Sequence, residues 1–251
     1  MTNFHGISTP LDLNVVLFTA MSPTLEEAKQ KTKGIPYLAG VGSLMYASMA
    51  THPDITFATN SLSQFNSNSS LPHWTALQHI LWYLKQTRDF VLTLSSEIPA
   101  CLISYTNSNY AGCIDTQWST SGYIFTLGRS AISWSSKWQP IMTTSSCKAK
   151  YIASCHATKE AMWLHRLLEI LSHKKSTTVI HSNNMGSIAL TKYPSFHTRS
   201  KHINIQFHYT HEHVNAKDVS FKYLPTAAIP ANIMTKPCHN WSTILSLIYS
   251  A

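Results

Sequence analysis

Acidic side chains are scarce in this sequence. Its 251 residues include 11 Asp and Glu against 19 Lys and Arg, so the formal net charge is +8 although only 12% of the residues are charged. The hydrophobic fraction of 44% and the aromatic fraction of 11% are enough for a core and exclude global disorder. The chain is therefore basic because it lacks acids.

Long apolar runs and paired cysteines are also absent. No segment supplies the ~20 apolar residues of a membrane span, and no basic residue precedes the short apolar run 15–20, as it would in a secretory signal. Five cysteines without a Cys-x-x-Cys pair disfavour a disulfide framework and a structural zinc site. We expect an intracellular protein, in the cytoplasm or the nucleus, with neither a membrane partner nor a small-molecule cofactor.

The charge is unevenly distributed along the chain. Residues 1–100 hold five basic and six acidic side chains, a net charge of −1, whereas residues 101–251 hold fourteen basic and five acidic ones, a net charge of +9. Such asymmetry is typical of a half that faces nucleic acid. The basic residues nevertheless form no long Lys/Arg run, so a loss of acids explains the pattern equally well.

The first third of the sequence predicts a small helical unit. Residues 1–35 carry turn signals and are interpreted as a linker-like lead-in. Pro53 ends the first helix, and Asp54 is expected to cap the second. We assign residues 36–97 to this unit, with helices predicted at 37–49, 55–65 and 71–85.

Strands and helices alternate after residue 90. Strands are predicted at 91–94, 102–105, 123–127, 131–134, 177–181 and 219–224. Helices are predicted from Ser145/Ser146 with an apolar face of Trp163, Leu167, Ile170 and Leu171, at 185–191, from His202 and at 230–235. A hairpin followed by such alternation indicates an α/β domain with a mixed sheet over residues 98–237, and 238–251 form a C-terminal tail.

Short motifs follow one another in a specific order along this second part. They are 105–112 (YTNSNYAG), 119–123 (STSGY), 132–137 (ISWSSK), 145–151 (SSCKAKY), 159–164 (KEAMWL), 183–184 (NN) before 188–190 (IAL), 197–203 (HTRSKHI) and 231–237 (ANIMTKP). In this order they resemble the ribonuclease H domain of copia-type retrotransposon polyproteins. The resemblance implies a ribonuclease H-like mixed five-stranded sheet flanked by helices.

Upstream motifs extend the resemblance over nearly the whole chain. The segments 42–46 (GSLMY), 51–55 (THPDI), 73–74 (HW) and 83–85 (YLK) resemble the connecting segment that follows the reverse transcriptase in the same polyproteins. The sequence is accordingly expected to be the C-terminal part of a Pol polyprotein. It contains no Asp-Asp pair of the kind that reverse transcriptases use to hold metal ions, so polymerase activity is not predicted.

The chain departs from the family pattern at seven acidic positions. Each replacement is Asp to Asn or Glu to Lys, and each is reachable by one G-to-A transition. We hypothesise mutational decay by cytosine deamination, which Trp118 and Trp138 also fit because the family commonly has basic residues there; sequencing related copies would test it. The replaced positions are Asn107, Asn109, Lys148, Lys150, Asn183, Asn204 and Asn232.

Four of these positions resemble metal ligands in the family: Asn107, Lys150, Asn183 and Asn232. Ribonuclease H chemistry uses two Mg²⁺ ions held by carboxylates, which activate a water and stabilise the leaving oxygen. Asn lacks the charge, and the Lys150 ammonium would repel a unit positive charge ~4 Å away by about 4 kcal/mol at an effective dielectric near 20. Mg²⁺ is thus an ancestral cofactor, and we expect no bound metal and no intact catalytic residue.

Two functions remain open at this point. The first is a fold-retaining but catalytically inactive ribonuclease H remnant, and the second is a non-catalytic module that binds RNA–DNA hybrid or other nucleic acid. In the second case Lys137, Arg199 and Lys201 would contact the ligand, with Trp134 as a further candidate. A zinc site at His208, His211 and His213 is disfavoured because no Cys or acid completes it. Restoring the seven acids would change the net charge from +8 to −1.

Overall fold

The computed structural model describes residues 7–24, 34–94, 101–128, 130–172, 176–192 and 201–237. Its helices and strands are α1 (Tyr37–Ala50), α2 (Thr56–Ser63), α3 (Leu71–Gln86), β1 (Leu102–Asn109), β2 (Thr120–Leu127), β3 (Ser130–Trp138), α4 (Ser146–Ser172), β4 (Thr178–Ser182), α5 (Met185–Lys192), α6 (Lys201–Asn215) and β5 (Val219–Tyr223). Short 3-10 turns lie at Thr19–Met21, Pro53–Ile55, Thr226–Ala228 and Pro230–Met234. Within these ranges no helix combines the length and apolarity needed to cross a membrane.

Local signals explain where the helices of the first unit begin. α3 starts with a reciprocal capping box between Ser70 and His73, and Pro72 lies in its first turn, where a missing N–H is tolerated. Pro53 separates α1 from α2, as predicted. Asp54 does not cap α2, however; it lies in the 3-10 turn between the two helices, and its carboxylate is buried against Tyr83.

The second unit is built on one mixed sheet with the strand order β3-β2-β1-β4-β5. β1 pairs antiparallel with β2, and β2 pairs antiparallel with β3. β4 lies parallel to β1 on its other side, and β5 lies parallel to β4. The prediction of a mixed five-stranded sheet flanked by helices is therefore confirmed.

Both faces of the sheet are covered, by different parts of the chain. α4 packs on one face, where its small residues Ala157 and Ala161 approach Phe125 and Ile180. The helical unit covers the other face, and one apolar cluster joins its own core to Ile124 and Ile233. The indole Nε1 of Trp134 also donates to the carbonyl oxygen of Ser48, 2.8 Å away. The helical unit and the sheet thus share a core, and the boundaries at 35/36 and 97/98 remain predictions.

Two further expectations differ from the structure. The segment 91–94 forms no strand: Val91 makes an isolated bridge, and Leu94 is 72% exposed. The apolar face predicted for α4 is not the face that packs on the sheet. Ala157, Ala161, Leu164 and Leu168 pack there, whereas the four predicted residues are all exposed: Trp163, Leu167, Ile170 and Leu171. Apolar spacing reveals which side chains share a face, but it does not reveal whether a partner covers that face.

Candidate functional site

The four predicted metal-ligand positions converge at one edge of the sheet. Asn107 lies near the end of β1, and Asn183 directly follows β4, the parallel neighbour of β1. Parallel strands end at the same edge, so these two side chains come close together. Lys150 projects from the first turns of α4, whose start is capped by Ser145, and Asn232 lies in the turn Pro230–Met234.

The Lys150 ammonium is the centre of this cluster. Its Nζ donates to Oδ1 of Asn107 and to Oδ1 of Asn183, each at 2.7 Å. The Nδ2 of Asn107 in turn donates to Oδ1 of Asn232 at 2.8 Å and to the Thr235 hydroxyl at 3.0 Å. The amine therefore joins β1 to the end of β4, while Asn107 joins β1 to the C-terminal turn.

Two further hydrogen bonds extend the network to Thr226. The Nδ2 of Asn232 donates to the carbonyl oxygen of Thr226 at 2.6 Å, and the Nδ2 of Asn183 donates to its hydroxyl at 3.0 Å. Asn107 and Asn232 are both 4% exposed, so these bonds satisfy amides that have little access to water. We call the set Asn107, Lys150, Asn183 and Asn232 the lysine cluster.

The surroundings of Lys150 disfavour its charged form. Burial is the main cause, and the positive charge of Lys236 adds to it, so the pKa of Lys150 falls from 10.5 to about 8. At neutral pH the amine is still protonated and donates hydrogen bonds as an ammonium. The cluster thus carries positive charge where the family resemblance places carboxylates.

The residues of the lysine cluster do not fit Mg²⁺. This ion prefers charged oxygen ligands, whereas the cluster offers neutral amide oxygens that already accept hydrogen bonds from an ammonium. Throughout the described part of the chain, no group of three His, Cys, Asp or Glu side chains could hold a metal ion. No metal-dependent step can be assigned to this site.

The other replaced positions lie outside the lysine cluster. Lys148 donates to the Thr144 hydroxyl at 3.2 Å and does not share the contacts of Lys150, as their spacing of two helical positions predicts. The Asn109 side chain packs over Gly112. The side chain of Asn204 lies outside the described residues.

The predicted nucleic-acid contacts have mixed outcomes. Lys137 is exposed on β3. Arg199 and the side chain of Lys201 lie outside the described residues, so their roles remain predictions. Trp134 is not free to stack on a base, because its indole is packed against the helical unit and donates to Ser48.

Sequence reasoning missed three residues that complete the site: Thr226, Thr235 and Lys236. Thr235 and Lys236 stand in the motif ANIMTKP and could have been proposed from their closeness to Asn232. Thr226 had no comparable signal, because it lies outside the quoted motifs and one of its contacts uses a backbone carbonyl.

The sheet order and the convergence of the motif residues define a ribonuclease H-like domain, which is the fold class that the motifs implied. An RNase H1 isolated from compost by a metagenomic approach is a structural neighbour, with 16% identity and a TM-score of 0.38 over 54% of this chain and 92% of that one. No protein-family model matches the chain.

Sequence relatives give the family. The chain is 37% identical over 236 residues to the retrovirus-related Pol polyprotein from transposon TNT 1-94 of Nicotiana tabacum, covering 94% of this chain. It is 35% identical over 221 residues to that from transposon RE2 of Arabidopsis thaliana, covering 87%. The chain belongs to the retrovirus-related Pol polyproteins of copia-type transposons. It spans 18% and 15% of the length of these two relatives.

Proposed function

We propose that the ribonuclease H-like domain of this chain does not cleave RNA in RNA–DNA hybrids. One observation carries the proposal: the Lys150 ammonium lies 2.7 Å from the side-chain oxygens of both Asn107 and Asn183. These are three of the four positions at which the family resemblance places metal ligands. An intramolecular cation therefore stands where catalysis needs metal ions.

Competition between the ammonium and a metal favours the ammonium. A divalent ion approaching the amide oxygens would lie within a few ångströms of Nζ and would have to give up part of its hydration for neutral ligands. It would also have to displace two charge-assisted hydrogen bonds. Lys236 adds a second positive charge near Lys150.

A cleavage assay with restored acids tests this proposal. The unaltered chain is expected to leave a labelled RNA–DNA hybrid intact in the presence of Mg²⁺ or Mn²⁺. The variant N107D/K150E/N183D/N232D is expected to cleave it, with an increase of several orders of magnitude over the unaltered chain. The pair N109D/K148E makes the same kinds of charge change outside the lysine cluster and serves as the control.

The control separates a local effect from a general one. If N109D/K148E cleaves as well as the fourfold variant, the loss of activity does not reside in the lysine cluster. Metal-dependent cleavage by the unaltered chain would contradict the proposal outright. Circular dichroism of each variant would show that a negative result comes from folded protein.

Binding of RNA–DNA hybrid without cleavage is the second candidate function. The supporting observation is the presence of two positive charges close together at the site, those of Lys150 and Lys236, together with the exposed Lys137 on β3. Binding through phosphates would weaken steeply with salt, because each contact releases condensed counterions. Titration over a salt series distinguishes the two candidates: a steep slope without cleavage supports the binding module, and no binding at low salt contradicts it.

A further inference from the structure

A cleft of about 500 Å³ runs along β3, on the side away from the lysine cluster. β3 is the last strand of the sheet order, with β2 as its only strand partner in the described part of the chain. An edge strand directs every second pair of backbone N–H and C=O groups away from the sheet. The cleft therefore contains backbone groups that can pair with a further strand.

The walls of the cleft come from the two opposite faces of the sheet. Met49 on α1 and Thr59 on α2 belong to the helical unit, which covers one face. Glu160 and Trp163 belong to α4, which covers the other face. Because it has a wall on each face, the cleft straddles the edge of β3 and has the shape of a slot for an extended chain.

The lining of the cleft is acidic, although the exposed Lys137 follows Ser136 on β3 just beyond it. The lining contains one acid, Glu160, and no Lys or Arg, whereas the net charge of the chain is +8. Glu160 accepts a hydrogen bond from the Ser133 hydroxyl at 2.6 Å and one from Tyr123. A carboxylate has about four acceptor sites, so capacity for a cation remains.

The rim of the cleft is apolar and exposed. Trp163 on α4 is 57% exposed and Met49 on α1 is 75% exposed. Large apolar side chains of this kind add contact area when a ligand covers them, and an aromatic face also attracts a cation. The cleft thus combines an open strand edge, one carboxylate and an apolar rim.

We propose that this cleft binds an extended basic peptide, which adds to β3 as a sixth strand. Backbone hydrogen bonds to the outward groups of β3 provide the pairing, as in other cases of strand addition. A Lys or Arg side chain of the peptide reaches the Glu160 carboxylate, and a neighbouring apolar side chain lies on Trp163 or Met49. The proposal is independent of whether the lysine cluster is active.

Binding of synthetic peptides tests it. The probe is a seven-residue peptide of alternating valine and lysine, compared with the same peptide carrying glutamate in place of lysine. General attraction to a chain of charge +8 would favour the glutamate peptide, whereas the cleft is expected to favour the lysine peptide by about tenfold. Hydrogen exchange should slow at the β3 amides of residues 132–136 when the lysine peptide binds.

Variants on α4 locate the contact. Glu160→Gln is expected to abolish the preference for lysine, and Trp163→Ala is expected to weaken the binding of both peptides. Leu171→Ala on the same helix is the control, because Leu171 is 71% exposed and lies outside the cleft. A lysine peptide N-methylated at alternate residues cannot complete the strand pairing and should bind weakly.

Three results would overturn the proposal. The first is equal or stronger binding of the glutamate peptide. The second is lysine-peptide binding that leaves exchange at residues 132–136 unchanged. The third is protection of those amides that rises with protein concentration in the absence of peptide, because a second copy of the chain would then be the occupant of the β3 edge.

Discussion

The helical unit and the sheet edge each contain a polar junction, by which we mean a set of hydrogen bonds around one ionisable side chain. That side chain is an acid in the first junction and an amine in the second. In the helical unit, Asp54 is 1% exposed; its Oδ2 accepts the Tyr83 hydroxyl at 2.7 Å, and its Oδ1 lies 3.6 Å from Nδ1 of His52. At the sheet edge, Lys150 donates to the amide oxygens of Asn107 and Asn183. The family resemblance assigns acids to both places, and only the first is still an acid.

The sheet edge shows how amide side chains satisfy one another at positions where the family resemblance places acids. Asn107 and Asn183 present both a donor and an acceptor, so each finds partners without a metal ion. Lys150 supplies the positive charge from within the chain. Asp54, by contrast, is a carboxylate that offers acceptors only, and its Oδ2 accepts the Tyr83 hydroxyl.

Truncating the shared core gives the largest expected effect. Leu77 is fully buried in the cluster that joins the helical unit to Ile124 and Ile233, so Leu77→Ala should lower the free energy of unfolding by about 2–5 kcal/mol. Because the cluster is continuous, helix and sheet signals should be lost in one transition. Two separate thermal transitions would show that the two regions fold independently.

Removing the donor to Asp54 should have the next largest effect. Tyr83→Phe leaves a buried carboxylate without its short hydrogen bond, which should lower the free energy of unfolding in urea by about 1.5–3 kcal/mol. Tyr46→Phe is the matched control, since Tyr46 is 79% exposed and should tolerate the change. If Tyr83→Phe and Tyr46→Phe unfold at the same urea concentration, the hydrogen bond from Tyr83 to Asp54 does not make the first junction more sensitive than the second.

The lysine cluster should be less sensitive. Lys150→Met keeps the length of the side chain but removes the ammonium, so it loses two hydrogen bonds and also relieves the desolvation of a charge. These effects oppose each other, and we expect a change in unfolding free energy within ~1 kcal/mol at pH 7. A loss greater than that of Tyr83→Phe would mean that the amine is essential to the fold.

The pH dependence of stability should report the desolvation of the Lys150 amine. Burial lowers the pKa of Lys150 from 10.5 to about 8, so between these values the unfolded chain retains a proton that the folded chain has released. The contribution of Lys150 to stability therefore rises with pH across this window and is least favourable below pH 8. Urea titrations should therefore show that the stability of the unaltered chain, relative to that of Lys150→Met, increases as the pH rises from about 8 to 10.5. A decrease over the same range would contradict the assignment.

The sequence predicts the fold well where a local pattern determines the structure. Apolar spacing gave α3 nearly to the residue, and the motif order led to the five-stranded sheet. The prediction of a strand at 91–94 was wrong because β-propensity reflects packing against neighbouring strands, and only Val91 makes a bridge there. The role of Asp54 was wrong because its partner, Tyr83, is 29 residues away.

The candidate site was predictable in its members but not in its arrangement. Motif positions brought Asn107, Lys150, Asn183 and Asn232 together as a set, and the structure gathers them at one edge of the sheet. The Lys150 amine contacts the amides of both Asn107 and Asn183 because of its side-chain rotamer and the position at which α4 starts. Residue spacing in the sequence predicts neither of these. The outer contacts to Thr226 depend likewise on tertiary packing.

Manganese binding followed by NMR tests the central claim most directly. Mn²⁺ broadens the signals of nearby nuclei, and the side-chain amides of Asn107, Asn183 and Asn232 report on the lysine cluster itself. In the unaltered chain these signals should keep their line widths during the titration, whereas the backbone amides around the same positions should broaden in the variant N107D/K150E/N183D/N232D. Selective broadening of the three side-chain amides in the unaltered chain would contradict the account, because a metal ion would then occupy the place assigned to Lys150.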